Sequence, residues 1–573
     1  MASSPSSLLS WPQAQAHSLH GLFRIVLGIL FLLSILVVTY VCLWWHHPMY
    51  GKNKGPVVYP IVGTFIGVLW NLEHIHDWMT EQLKKQTNSM TARFVRPGSA
   101  AFYLTASPKN VEYILKTNFD NYPKGPETCN NLSDLLGSSI FSVDGELWKE
   151  QRRVAMHEFT TKSLRNFMHE IVQVELDNRL IPVLSKASSE GVLVDLHDIF
   201  MRFNFDTICN LGFGVDPGCL DISLPNVKLA HAFDTATAIT TSRFFMYPFV
   251  WGTKRALNIG SERILRESVR QINEFAMHVI QKRREKLLES STEPRNGLNS
   301  DDAPKPLSSP PHMDLLSRFM GVTTEAEKLT LDSSGGDDQK RGGYSDVFLR
   351  DIVISFVLAG RDTTSSGLSW LFWLLSRHRR VVDAIRAEIR EVVKSRNCKN
   401  LSTDASKFTY EELKNMHYLH AALSESLRLH PPLPVDTKFA VKEDVLPDGT
   451  HIPKGSVVAY GPYAMGRMEQ LWGSDCLEFK PERWLQNGVF VPQCPYKYAV
   501  FQAGPRICLG KELALLQIKL VTAGLINCFD FYVPEDFKPT YELSLLLPMK
   551  YGLPTKISPR ERESLGETEG SRV

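Results

Sequence analysis

From Ile25 to Trp45 the chain carries no charged side chain. At ~1.5 Å per residue such a run forms a helix about 30 Å long, enough to cross a bilayer once. In hydrocarbon every peptide group needs an internal partner, so a single segment there must be helical. A cleaved signal peptide is the competing reading. The run is too long for a signal's apolar region, and it ends in Tyr40, Trp44 and Trp45 rather than at small residues. Trp at that edge suits the membrane–water interface. Arg24 precedes the run and Lys52 and Lys54 follow it, so flanking charge orients it only weakly.

The rest of the chain reads as globular. Residues 1–24 are an N-terminal tail and 25–45 the anchor. Residues 46–65 form a hinge rich in Pro and Gly, 66–555 one large domain, and 556–573 a C-terminal tail. Glu289 to Pro311 and Asp332 to Asp338 read as exposed loops, being rich in Ser, Pro, Asn, Gly and Asp. Helical periodicity dominates, and strand-like segments such as Ser456 to Tyr460 are short and mostly late. The fold class is mainly α with a minor β part. Sixty-four Lys plus Arg against 62 Asp plus Glu give a net charge of +2, which argues against a nucleic-acid partner. Nine cysteines are scattered without a CxxC pair, as in a reducing compartment. A cytosolic domain follows, in which the sequons at Asn131 and Asn400 go unused.

One cysteine needs its own explanation. In Phe501-Gln-Ala-Gly504-Pro-Arg506-Ile-Cys508-Leu-Gly510, two glycines bracket Cys508. They permit tight turns and the approach of a flat ligand. Arg506 can pair with a carboxylate on that ligand. A helix beginning near Gly510 directs its positive end at the sulfur, which favours thiolate over thiol. Phe501 is expected to pack beside the cysteine and exclude water. No partner Cys or His stands at the spacing of a structural zinc site, and no GxGxxG loop follows a strand.

A second segment, Tyr344 to Arg377, reads as one long helix, apolar on almost every face and therefore buried. Its middle is polar: Ala359-Gly360-Arg361-Asp362-Thr363-Thr364-Ser365-Ser366. Gly360 removes bulk so that a flat cofactor can approach. Thr363 can bond back to the carbonyl of Ala359, loosening the ladder and opening a niche. Asp362 offers a proton route beside it. Two shorter patterns stand out. Glu425 and Arg428 share one face of a helix from about Tyr418 to His430, with Arg483 following in Pro481-Glu-Arg-Trp484. Trp148 and Arg152, four apart, point the same way.

These segments, in this order, resemble the cytochrome P-450 family over about residues 56 to 555. The resemblance implies a cytochrome P-450 fold preceded by one transmembrane helix. It also implies haem b, with Cys508 as the thiolate ligand of its iron. A thiolate pushes electron density onto the metal and favours O–O cleavage. Thr363 and Asp362 would support proton delivery to oxygen. Ala359, Gly360, Phe501, Gly504 and Gly510 would surround the cofactor. Arg506, Trp148 and Arg152 would hold its propionates, with Lys438 a further candidate. Glu425, Arg428 and Arg483 would form a buried structural triad. Electrons would come from NADPH through a membrane-bound flavoprotein reductase docking on the cysteine side, where Lys149, Arg153, Lys497 and Lys511 are candidate contacts. The location implied is the endoplasmic reticulum membrane, single-pass.

Three stretches narrow the resemblance: Thr117 to Gly125; Phe203 to Gly214 with Asp216 to Leu220; and Met465 to Glu469 with Trp472-Gly473. They are similar to the plant fatty-acid ω-hydroxylase group, some members of which hydroxylate jasmonoyl–amino acid conjugates. Both substrates join a carboxylate to an apolar tail. The expected reaction is therefore O2-dependent hydroxylation of a lipophilic acid, a fatty acid first and a jasmonoyl conjugate second. Asp362-Thr363 and the uninterrupted cysteine loop speak against an O2-independent isomerase or dehydratase, and the buried helix against a haem sensor. Pro123 to Phe141 is the region expected to meet substrate.

Overall fold

The computed structural model describes residues 11–46, 54–60, 62–86, 89–95, 101–159, 162–224, 228–292, 316–317, 320, 345–396 and 406–560. The apolar run lies in helix α1 (Trp11–Trp45), which starts well before Ile25. Its membrane-length portion, Phe23–Trp45, has a mean hydropathy of 2.9 and is 0% buried against the protein. An apolar surface left bare along a whole helix is what a bilayer covers. At its end Trp44 stacks on Tyr59, ring centroids 5.9 Å apart.

The β part centres on one small sheet. Helix α2 (Ile75–Lys84) buries Ile75 and Leu83. It packs beside β1 (Thr91–Phe94) and β2 (Phe102–Thr105), which pair antiparallel. The other two strands come from far along the chain, β3 (Asp436–Phe439) and β4 (Val457–Tyr460). The sheet order is β1-β2-β4-β3, with β2 and β4 parallel and Phe102 opposite Val457. Aromatic and β-branched residues at these positions suit a half-buried pleat.

The helical body carries the main core. Helices α3 (Pro126–Leu136) and α4 (Gly145–Phe159) precede α5 (Leu196–Phe213). Asp195 caps α5 by accepting from the amides of His197 and Asp198, and Gly214, at φ 62, ends it. Then come α6 (Lys228–Ser242) and α7 (Gly260–Thr292). The long central helix, α8 (Asp346–Arg377), is capped by Ser345. It is apolar on both flanks and packs on α5, α7 and α3, on α9 (Arg379–Lys394) and on α10 (His417–Leu429). α11 (Lys511–Cys528) follows the cysteine loop and also lies against α8. A three-stranded sheet of Phe529–Tyr532, Pro554–Pro559 and Val194–Asp195 pairs through Pro559, so the domain continues past its expected end at residue 555.

The architecture is mainly α with a minor β part, as expected. Two of the anticipated loops fall largely outside the described residues: Asp332 to Asp338 entirely, and Glu289 to Pro311 apart from Glu289–Thr292, which end α7. Tyr344, Cys398, Asn400 and hinge residues 47–53 and 61 also lie outside them. Asn131 is 2% exposed within α3, where no glycan could be attached. Cys42, Cys129, Cys209, Cys219, Cys476, Cys494 and Cys508 are free thiols.

Candidate active site

A single cavity of about 580 Å³ is lined by Cys508 and by Ala359, Gly360, Thr363 and Thr364 of α8. Trp148 and Arg152 of α4, Phe501, Arg506 and Gly510 share the same wall. Distant segments of sequence thus meet around one space, of a size usual for ligand sites.

The cysteine loop is held from within. The amide of Cys508 donates to the carbonyl of Phe501 at 2.8 Å, and Ile507 donates to Gly504 at 3.1 Å. Arg152 donates to the carbonyl of Ile507 at 2.5 Å, tying α4 to the loop. A Cβ on Gly510 would stand 4.0 Å from the sulfur. Cys508 has open surface toward the cavity yet is deeply enclosed by protein. That enclosure pushes its thiol above the ordinary value. The amides of Gly510 and Lys511 and the cations of Arg152 and Lys511 pull it down. The helix terminus therefore acts in the expected direction but does not win, because burial is the larger effect.

Thr363 makes the expected bond, its hydroxyl donating to Ala359 at 2.5 Å. The helix nevertheless runs on unbroken through this point. Asp362 departs from the expectation. Its carboxyl is not part of the cavity wall. It lies 3.3 Å from the guanidinium of Arg361, which is itself 2.9 Å from Asp234 of α6. Burial pushes the Asp362 carboxyl up to about 6, with Arg361 opposing.

Two glycines also serve differently from the sequence reading. A Cβ on Gly360 would come within 2.6 Å of Ile208 on α5, so its missing side chain makes room for a neighbouring helix. Gly504 is not on the cavity wall. Its φ of 66 and a carbonyl contact with Leu115, which a Cβ would strike, make it a turn and packing residue.

Arg506 is already paired with an acid on one side of its guanidinium. Its guanidinium donates to Asp144 at 2.6 Å and to the carbonyl of Val143 at 3.2 Å, and stacks over Trp148 at 4.3 Å. Its buried Nε finds no partner among the described residues. Lys438 is elsewhere. Its ammonium bonds Asp436 at 2.7 Å; Asp436 and Thr437 both line the cavity, and Lys438 does not. Lys438 is fully enclosed, and burial pushes its ammonium down to about 7. The cavity lysine is instead Lys124, 2.7 Å from the other oxygen of Asp436. Sequence reasoning named the surrounding Pro123 to Phe141 stretch without singling it out. That stretch also supplies Thr128, Leu132, Leu136 and Ile140.

The expected ion-pair cluster is formed. Arg428 meets Glu425 through two bonds of 2.7 and 2.8 Å, and Arg483 reaches the same carboxylate at 3.2 Å. Trp484 donates to it at 2.9 Å and the amide of Lys480 at 3.1 Å. Glu425 is 0% exposed. Of the surface cations, Lys149 pairs with Glu146 at 2.8 Å. Lys497 bonds Gln493 and lies 4.2 Å over Trp472.

The family model for cytochrome P450 matches residues 54–554. The chain belongs to the cytochrome P450 family. It is accordingly a monooxygenase, and the family's cofactor is haem iron. Its similarity to cytochrome P450 94A1 of Vicia sativa is 42% identity over 518 residues, covering 88% of this chain and 91% of that protein. Cytochrome P450 704B1 of Arabidopsis thaliana is 38% identical over 548 residues, covering 92% and 99%. Cytochrome P450 94C1 of the same plant is 42% identical over 499 residues, covering 86% and 91%. The residues present fit a haem: one cysteine thiol on the wall of a cavity, an unpartnered buried guanidinium N–H, and cations at Arg152, Lys124 and Arg506 for acidic side arms.

Proposed function

We propose that this monooxygenase hydroxylates a lipophilic carboxylic acid, a fatty acid near its terminal methyl, with Cys508 as the iron's thiolate ligand. A thiolate-ligated haem, when bound, supplies the activation of O2 that attack on an unactivated C–H bond requires. The chain's own residues do the rest. Cys508 offers the sulfur, with the amides of Gly510 and Lys511 tempering its charge. Arg506, Arg152, Trp148 and Lys124 would hold the propionates of that haem. Thr363 lines the reacting space and offers a hydroxyl through which a proton can pass. Asp362, buried beside Arg361, is the proton's donor from behind the wall.

The observation that carries the reading is the cavity wall itself. Cys508 and Thr363 share it with a long apolar lining that includes Leu132, Ile140, Phe356, Leu545 and Leu546. Such a lining excludes water and takes an acyl chain. Electrons arrive from NADPH through a flavoprotein reductase on the cysteine side. The bare helix α1 supports a single-pass anchor in the endoplasmic reticulum membrane, with the domain in the cytosol.

The test is spectral and catalytic together. Reconstituted with reductase and NADPH, the protein is expected to convert dodecanoic acid to a terminally hydroxylated product. Titration with dodecanoic acid and with jasmonoyl-isoleucine ranks the two acid classes. Cys508→Ala is expected to lose the thiolate-type spectrum of the reduced carbonyl complex; an unchanged spectrum overturns the ligand assignment.

A further inference from the structure

Among the polar side chains of the cavity that the mechanism above does not use is an imidazole with neither nitrogen engaged. His76, in the first turn of α2, is 6% exposed and lines the cavity. Neither ring nitrogen has a hydrogen-bond partner among the described residues. Phe65, Val68, Met79, Phe94 and Phe102 line the cavity with it, and all are apolar. A buried imidazole with two unmet nitrogens in an apolar wall is costly unless something completes it.

Its neighbours are already engaged. The rings of Tyr463 and Tyr541 lie 5.7 and 5.2 Å away, and the Tyr541 hydroxyl accepts the backbone amide of His76 at 3.2 Å. Asp77 is held by the hydroxyls of Tyr463 at 2.6 Å and Tyr541 at 3.1 Å. Arg467 donates to the carbonyls of Leu429 and Tyr463 and stacks on Tyr463. Burial pushes the imidazole down to about 4, with Asp77 raising it and Arg467 lowering it. The ring is therefore neutral at neutral pH. A neutral imidazole presents one N–H donor and one bare nitrogen acceptor. A protonated carboxyl presents the reciprocal pair, a carbonyl acceptor and an O–H donor.

We infer that His76 is the anchor for the carboxyl head of the acyl substrate, holding that end while the apolar tail reaches toward Thr363 and Cys508. The inference rests on the acyl-acid reading given above. His76 is a positioning residue: it fixes how far the chain extends, and so which carbon is presented for oxidation. An apolar wall disfavours an ionised carboxylate, so the head binds with a proton shared between it and the imidazole.

The holoenzyme and its His76→Phe and His76→Gln variants are titrated with dodecanoic acid, its methyl ester and dodecane. The haem spectral shift reports binding, and product positions are then determined with reductase and NADPH. Wild type is expected to prefer the acid over the ester. His76→Phe is expected to weaken acid binding about tenfold, leave dodecane unchanged, and spread hydroxylation over several carbons. His76→Gln, which keeps a donor and an acceptor, is expected to restore part of both. Should His76→Phe not retain haem, His76→Leu carries the same comparison. An acid preference and product pattern unaltered in the Phe or Leu variant overturns the anchor alone. A wild type that binds no acid overturns the acyl-acid reading and the anchor with it.

Discussion

The hydroxyl of Thr363 donates to the carbonyl of Ala359, one turn earlier in α8, at 2.5 Å. That bond fixes where the hydroxyl sits on the cavity wall without breaking the helix. Thr363→Ala removes the hydroxyl and leaves the packing nearly intact. The variant is expected to keep its haem spectrum while product per NADPH falls by about tenfold or more, with peroxide taking up the difference. Peroxide and product yields measured side by side check this, and full coupling in the variant refutes it.

Asp362 gives a pH-dependent outcome. Burial raises its carboxyl to about 6 in the folded protein, against about 4 in an unfolded chain. Between those values the folded state binds the proton and the unfolded state does not. Stability from this group is therefore greatest below about pH 4 and falls as pH rises toward 6. Asp362→Asn is expected to flatten that decline, read from denaturant midpoints at several pH values. The same variant is expected to remove a step near pH 6 from the pH profile of turnover.

Glu425 is the carboxylate shared by Arg428 and Arg483. Glu425→Gln leaves the enclosed guanidinium of Arg428 without a counter-charge, while Arg483 keeps Asp475 at 2.9 Å, at a cost of about 3–5 kcal/mol. Haem content per protein and thermal midpoint are expected to fall together. The fraction that still holds haem is expected to turn over normally.

Gly360 answers to Ile208. Alanine normally improves a helix interior by ~0.5–1 kcal/mol. Here the added methyl meets a packed side chain, and overpacking costs about 1–3 kcal/mol. Gly360→Ala is expected to be destabilising, and pairing it with Ile208→Ala to recover most of the loss. Additive effects in thermal melts would show that the two do not touch.

These four cases also mark what the sequence made legible. The Thr363 bond and the Glu425–Arg428 pair are local: fixed helical spacing, three or four residues, decides who can meet. The cysteine loop is local too. Lys438 is not on the wall: its ammonium is taken up by Asp436, and the lysine that lines the cavity is Lys124, more than three hundred residues earlier in the chain and bonded to the same carboxylate. Gly360 was read as clearance for a cofactor and Gly504 as a tight turn that also gives clearance; the turn is there, yet the closest contacts of the two, Ile208 and Leu115, come from elements distant in sequence. His76 gave no signal at all. A lone histidine at the start of an amphipathic helix is ordinary, and only the tertiary fold leaves both its nitrogens unmet inside a cavity.

The two arginines around Glu425 have a reach beyond their ion pair. Arg428 donates to the carbonyls of Gly466, Cys476 and Glu478, and Arg483 to those of Trp472 and Asp475. Every residue type carries a carbonyl, so this grip is blind to side-chain identity. Exposed positions such as Glu469, Gln470, Ser474 and Leu477 can be recoded without loosening the segment's path. Its shape is thus written outside itself, in two residues at 428 and 483, and the intervening surface is open to redesign.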